Sequence, residues 1–164
     1  MARKPAQRES RASAAAPWIL GTLGAGAVGA LASRPGSPDW VASLDAPSWM
    51  PAAWVLAPLT AIVLLTMGVA AALVWRERER VAVRPALAWY VAELACAACW
   101  PYFFFGARAT DLAMLDLSLL WILGALATVA FWRVRALAGM LLAPHLAFVT
   151  YAAALNLSLW LRNG

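Results

Sequence analysis

Glu93 and His145 have the widest chemical range in this chain, because each is set among apolar neighbours. An ionised carboxylate is costly in hydrocarbon, so Glu93 must face a bundle interior, water or a partner. It reads as the only acidic residue well inside an apolar segment, and it shares a helix face with Cys96, Ala97 and Trp100 at three- and four-residue spacing. Two uses fit that placement. One is a ligand contact or proton-sensitive group in an aromatic cavity; the other is a protonated or hydrogen-bonded carboxyl that packs helices. His145, the single histidine, follows Pro144 and precedes Phe148, Tyr151, Ala152 and Asn156. A metal on its ring would need Cys96, Cys99 or Glu93 to converge with it, and axial ligation of a haem iron is the other coordination chemistry open to it. Cys96-Ala-Ala-Cys99 is followed by Trp100 instead of His, so the covalent haem-attachment pattern is absent. Both thiols read as small packing groups. No metal site, catalytic group or required cofactor is expected.

The ten tryptophans form the second chemical set. Indoles supply broad apolar faces with one polar edge, which suits a membrane interface or a flat apolar ligand. Trp18, Trp75, Trp132 and Trp160 fall near the ends of apolar segments and read as interface anchors. Trp40, Trp49, Trp54, Trp89, Trp100 and Trp121 remain as candidates for ligand contact, with Trp121 equally suited to face lipid. Asn156, flanked by leucines, reads as a hydrogen-bonding link between helices.

The elements that position these groups follow from composition. Hydrophobic residues are 64% of the 164 and charged residues 13%, against about a quarter charged in a soluble domain. A chain this small has too much surface to hide that excess in a water-soluble core. An all-α integral membrane protein follows, and the length fits a single domain. Five apolar segments run over about 17–33, 53–75, 85–106, 112–132 and 137–161. Each supplies roughly 17 to 25 residues, enough to cross about 30 Å as helix. The fold expected is a five-transmembrane-helix bundle over residues 17–164, preceded by a flexible basic tail at 1–16.

Arginines assign the sides. The tail carries Arg3, Lys4, Arg8 and Arg11, the second connector Arg76, Arg78, Arg80 and Arg84, and the fourth Arg133 and Arg135. The opposite side has Arg34, Arg108 and Arg162. This pattern places the N-terminus inside and the C-terminus outside. No long basic stretch interleaved with aromatics exists, so a nucleic-acid partner is not expected. The one long connector, 34–52, holds Pro35, Gly36, Pro38, Pro47 and Pro51 around Trp40 and Trp49. It reads as a folded lid over one mouth of the bundle, or else as an interfacial loop with its indoles among headgroups. Gly21, Ala25, Gly29 and Ser33 recur at intervals of four and allow a close helix approach, within the bundle or in a dimer. Gly124 and Thr128 give a shorter version.

These features resemble the tryptophan-rich sensory proteins, also called the translocator or peripheral benzodiazepine receptor family. The likeness runs from Trp18 to Asn163. It rests on Pro47-Ser-Trp49-Met-Pro51-Ala-Ala-Trp54-Val-Leu-Ala-Pro58, on Met67-Gly68 through Val74-Trp75, and on Ala86-Leu87-Ala-Trp-Tyr90 with Glu93-Leu94 and Trp100. It continues through Phe104-Phe105-Gly106, Leu141-Leu142-Ala-Pro144-His145-Leu146 and Leu155-Asn156. The resemblance implies a five-helix membrane protein, commonly dimeric, that binds porphyrins, sterols and synthetic aromatic ligands in a pocket capped by the first loop. By that likeness the pocket includes Trp49, Trp54, Glu93, Ala97, Trp100, Phe148 and Ala152; His145 joins it as the neighbouring titratable group. The chain departs from the family pattern at several of these places. Glu93 and Ala97 stand where Gln and Asn are usual, Thr60 for a Trp and Leu64 for a Tyr. His145 replaces the Tyr of a Pro-Tyr pair, and Phe148 a Trp. The implied function is a bacterial-type membrane receptor or transport protein for porphyrin-like, haem-like or sterol-like molecules. The alternatives are an enzyme that modifies a bound tetrapyrrole and a ligand-responsive regulatory scaffold.

Overall fold

The computed structural model describes residues 15–31 and 37–163, and among these it has six α-helices. They are α1 (Ala16–Leu31), α2 (Ser37–Ser43), α3 (Ala53–Trp75), α4 (Arg84–Pro101), α5 (Thr110–Val134) and α6 (Ala136–Asn163), with a π-helical turn at Tyr102–Gly106 prolonging α4. The expected basic tail lies outside the described residues, except for its last two positions. So do Ser33 of the small-residue stripe and Arg34, Pro35 and Gly36 of the long connector.

Among the described residues, four helices are long and apolar enough to cross a membrane: α3, α4 with its π turn, α5 and α6. α1 is apolar but has 16 residues, about 24 Å of helix at 1.5 Å per residue. That falls short of the ~30 Å hydrocarbon thickness of a typical bilayer. The four long helices start and stop within three residues of the sequence-based boundaries, apart from the π turn. Pro101 explains that turn. It has no N–H to donate, so the ladder widens after it, and Ala107 N–H closes on the Tyr102 carbonyl at 2.7 Å.

α1 packs on α3 and α4, α3 on α6, α6 on α5, and α5 on α4, which closes a ring in the order α1–α3–α6–α5–α4. At one end the ring is held by aromatics: the Trp18 and Trp75 rings lie 5.6 Å apart, and Tyr90 packs on Phe131 at 5.4 Å. Trp18 and Trp75, expected from sequence to be interface anchors, pack on each other. Thr22 donates to the Trp18 carbonyl at 2.7 Å, which leaves the Tyr90 hydroxyl to donate to Thr22 Oγ1 at 2.6 Å. That bond ties α1 to α4 where both groups are buried. Tyr90→Phe is expected to lower stability by about 1 kcal/mol, read as a shifted midpoint in detergent unfolding with the helical content unchanged.

The small-residue stripe on α1 is only partly the contact face. A Cβ on Gly21 would meet nothing within 4 Å, whereas one on Gly29 would lie 3.1 Å from Pro101 of α4. The closest approach involves glycines off the stripe. A Cβ on Gly26 would collide with the Leu64 side chain, and one on Gly68 would sit 2.8 Å from the Ile19 Cα.

Candidate functional site

The long connector docks across the mouth formed by the end of α4, the start of α5 and the end of α6. Trp40, Val41 and Leu44 pack on the buried cluster of Phe104, Ala113 and Leu159. Trp40 meets Phe104 edge-on at 5.2 Å, and the Arg108 guanidinium lies 5.9 Å from the Trp40 ring centre. Arg108 reaches it from a left-handed backbone conformation, φ 56°, that reverses the chain between α4 and α5. Farther along, the Asp45 N–H donates to Asn163 Oδ1 at 2.8 Å, and Arg162 pairs with Asp45 at 3.5 Å. The connector is thus a lid pinned to the C-terminal end of α6.

Beneath the lid the aromatics continue inward. Trp100 stacks on Phe104 at 5.1 Å with an interplanar angle of 18°, and Phe105 meets both edge-on. The π turn carries both phenyl rings, with Phe104 buried. Ala97, Trp100 and Ala152 converge on the buried cluster of Cys96, Leu117, Leu120 and Val149, between α4, α5 and α6. Two polar atoms here lack hydrogen-bond partners although buried, Trp100 Nε1 and Asn156 Oδ1. The Asn156 amide donates to the Thr110 carbonyl at 2.8 Å, the interhelix link expected of it.

Deeper still, Glu93 of α4 and His145 of α6 meet across the bundle. They are separated in the ring by α5, and Gly124 of α5 makes room for them. A Cβ there would lie 3.1 Å from Glu93 Oε1. Glu93 is 0% exposed and His145 6%. Their Nε2 and Oε1 atoms approach to 2.8 Å, but the alignment is that of an electrostatic contact and not of a directed hydrogen bond, and among the described residues neither carboxylate oxygen has another donor. With one proton on the pair, carboxylate with imidazolium and carboxylic acid with imidazole have the same net charge of zero. Either form is tolerable in a low-dielectric interior where a single ion is not. Among the described residues no three His, Cys, Asp or Glu side chains cluster to hold a metal.

The sequence reading of Glu93 as the only intramembrane acid needs correcting. Asp116 lies within α5, half-buried, and its Oδ1 is 3.2 Å from the Cys96 Sγ. Its position two turns inside the helix was the available signal. Cys96 is buried, while Cys99 is exposed and free, so Cys96-Ala-Ala-Cys99 makes no disulfide.

A second locus lies on the outer face of the ring, where α3 and α6 leave an open groove of about 410 Å³. Leu59, Ile62 and Thr66 line it from α3, and Pro144, Phe148 and Tyr151 from α6. Trp49 of the lid meets Tyr151 edge-on at 5.7 Å, and the Tyr151 hydroxyl donates to the Trp49 carbonyl at 3.4 Å. The sequence-predicted site therefore divides. Glu93, Ala97, Trp100, His145 and Ala152 belong to the interior wedge, and Trp49 and Phe148 to the groove and its rim. Trp54 is 78% exposed in the first turn of α3. Tyr151 was missed as a site residue, although its three-residue spacing from Phe148 puts both on one face.

The TspO/MBR family model matches residues 18–161, nearly the whole described bundle and its lid. The chain belongs to the TspO/MBR family. Among family members, the human translocator protein (Homo sapiens) is 40% identical over 127 residues, 76% of this chain and 75% of its own length. The bovine translocator protein (Bos taurus) is 35% identical over 159 residues, covering 91% and 93%. Protein CrtK of Rhodobacter capsulatus is 36% identical over 151 residues, covering 90% and 91%. The family match takes in the lid, the π turn and both loci.

Proposed function

We propose that this protein is a membrane receptor or carrier for flat apolar molecules of the porphyrin or sterol class, taken up from the bilayer through the α3/α6 groove. The groove itself is the observation that supports this reading. It is open on the outer face of the ring, apolar along its floor, and rimmed at the lid end by Trp49 and Tyr151. A flat ligand there gains apolar burial along α3 and α6 and edge or face contact with Phe148, Tyr151 and Trp49. Membership of the TspO/MBR family supports the ligand class, and the lid's attachment to Asn163 couples the rim to the end of α6.

The same reading includes α1 as part of a fifth span, with the N-terminus inside, the C-terminus outside and a homodimer in a bacterial-type membrane. A porphyrin or haem is ligand here and not resident cofactor. Release into the interior wedge would bring it toward Trp100 and the Glu93–His145 pair, where a polar edge meets groups whose hydrogen bonding is unspent.

Titration of the purified protein with protoporphyrin IX and with cholesterol, followed by tryptophan fluorescence, tests this. Saturable quenching is expected with at least one of them. Thr66→Trp, which fills the groove, should weaken that affinity at least about tenfold, equivalent to ~1.4 kcal/mol. Combined Trp49→Phe and Trp100→Phe should remove most of the quenching. The reading is wrong if neither compound quenches, or if Thr66→Trp leaves affinity unchanged.

A further inference from the structure

The mouth opposite the lid carries a second arrangement, independent of the α3/α6 groove. There α3 ends at Trp75 and α4 begins at Arg84, and the connector and the α5–α6 junction carry arginines 76, 78, 80, 84, 133 and 135 with Glu77 and Glu79. Glu77 takes Arg80 at 3.4 Å and Arg135 at 3.5 Å, which ties the second connector to the α5–α6 junction. Arg78 is held differently. Its guanidinium carbon lies 5.0 Å from the Trp75 ring centre, and Nη1 donates to the Trp75 carbonyl at 3.2 Å. Its acidic neighbour Glu79, 3.7 Å away, has a side chain 84% exposed and screened by water. Arg84 has no ion pair among the described residues.

Arg78 and Arg84 line an open groove of about 370 Å³ together with Trp75, Val81, Ala82 and Val83. A guanidinium stacked on an indole spends its π face and keeps in-plane N–H groups for an oxyanion, at little further cost in side-chain freedom. Beside it runs an apolar floor at the end of a membrane-spanning helix. This combination fits one chemistry better than others: a phosphodiester that carries its own hydrocarbon. We infer that this groove is a specific site for an anionic phospholipid of the surrounding bilayer. The phosphate sits on Arg78 and Arg84, and the glycerol and first methylenes lie on Trp75, Val81 and Val83. A free phosphate would engage the charges and leave the floor unused. A zwitterionic lipid would use the floor but bring its own cation to the arginines.

The full chain in detergent, titrated separately with phosphatidylglycerol, phosphatidylcholine and glycerol 3-phosphate, tests the inference by native mass spectrometry. One saturable phosphatidylglycerol adduct is expected, preferred at least about tenfold over phosphatidylcholine, because each cation near an anionic headgroup contributes about fivefold. Glycerol 3-phosphate at equal concentration should not displace it. Arg78→Gln with Arg84→Gln should abolish the preference, whereas Arg80→Gln, which alters a pair outside the groove, should keep it. Arg78→Lys retains charge but not the stacked fork, and should lose part of the preference even if the double variant fails to fold. Equal binding of the two lipids would overturn the site. So would displacement by glycerol 3-phosphate, an unaltered preference in Arg78→Lys, or an equal loss in Arg80→Gln.

Discussion

His145→Ala is expected to destabilise the bundle by about 3–5 kcal/mol, the range for removing one partner from a buried ion pair. The expectation rests on geometry. Glu93 is fully buried near the middle of α4, both of its oxygens lack other donors, and His145 Nε2 is the polar atom that faces it at 2.8 Å. Without the imidazole the carboxyl must either stay ionised in a low-dielectric interior or take up a proton and remain without an acceptor. Both outcomes cost stability. Glu93→Leu alone should be costly for the mirror reason, since it leaves a buried imidazole unpartnered. Changing both together, Glu93→Leu with His145→Leu, should come within about 1 kcal/mol of the native chain, because apolar replacement of a whole buried pair is often close to neutral. The readout is unfolding in detergent followed by tryptophan fluorescence, arranged as a double-mutant cycle. A coupling of at least ~2 kcal/mol is expected. Additive single effects would mean that the two residues meet in space without depending on each other.

This pair also shows where sequence reasoning stops. Glu93 and His145 each stood out, because a titratable group in an apolar segment is conspicuous on composition alone. Their meeting was not legible. It depends on the ring order and on Gly124, whose missing side chain opens the path between α4 and α6. Span positions were readable to within a few residues because length and hydropathy set them directly, whereas facing was not. In a bilayer the outside of a helix is as apolar as the inside, so α3 has no polar stripe to mark its inner face. Trp54 shows the consequence. Its indole type suited a pocket, but in the first turn of α3 the ring is left 78% exposed. The lid succeeded for the opposite reason. Prolines with interspersed indoles in a polar connector need something to pack on, and Phe104 with Leu159 supplies it.

The same limit explains the glycines of α1 and leads to the second large effect. Gly68→Leu is expected to cost about 3 kcal/mol, at the upper end of overpacking penalties. A Cβ at Gly68 would lie 2.8 Å from the Ile19 Cα, which is backbone and cannot rotate away. The helix must shift as a unit, and doing so strains the Thr22–Tyr90 hydrogen bond and the Trp18–Trp75 contact. Gly21→Leu has the opposite expectation, a change within about 0.5 kcal/mol, because its Cβ would meet nothing within 4 Å. Spacing alone favoured Gly21, since it begins the four-residue stripe, and gave no weight to Gly68. Detergent unfolding of the two variants side by side separates the alternatives. A severe Gly21 defect with a silent Gly68 would seat α1 by its stripe. The reverse result would mean that α1 is placed by two glycines on facing helices, Gly26 and Gly68. The outer face bearing Gly21 would then be free to meet lipid without disturbing the ring.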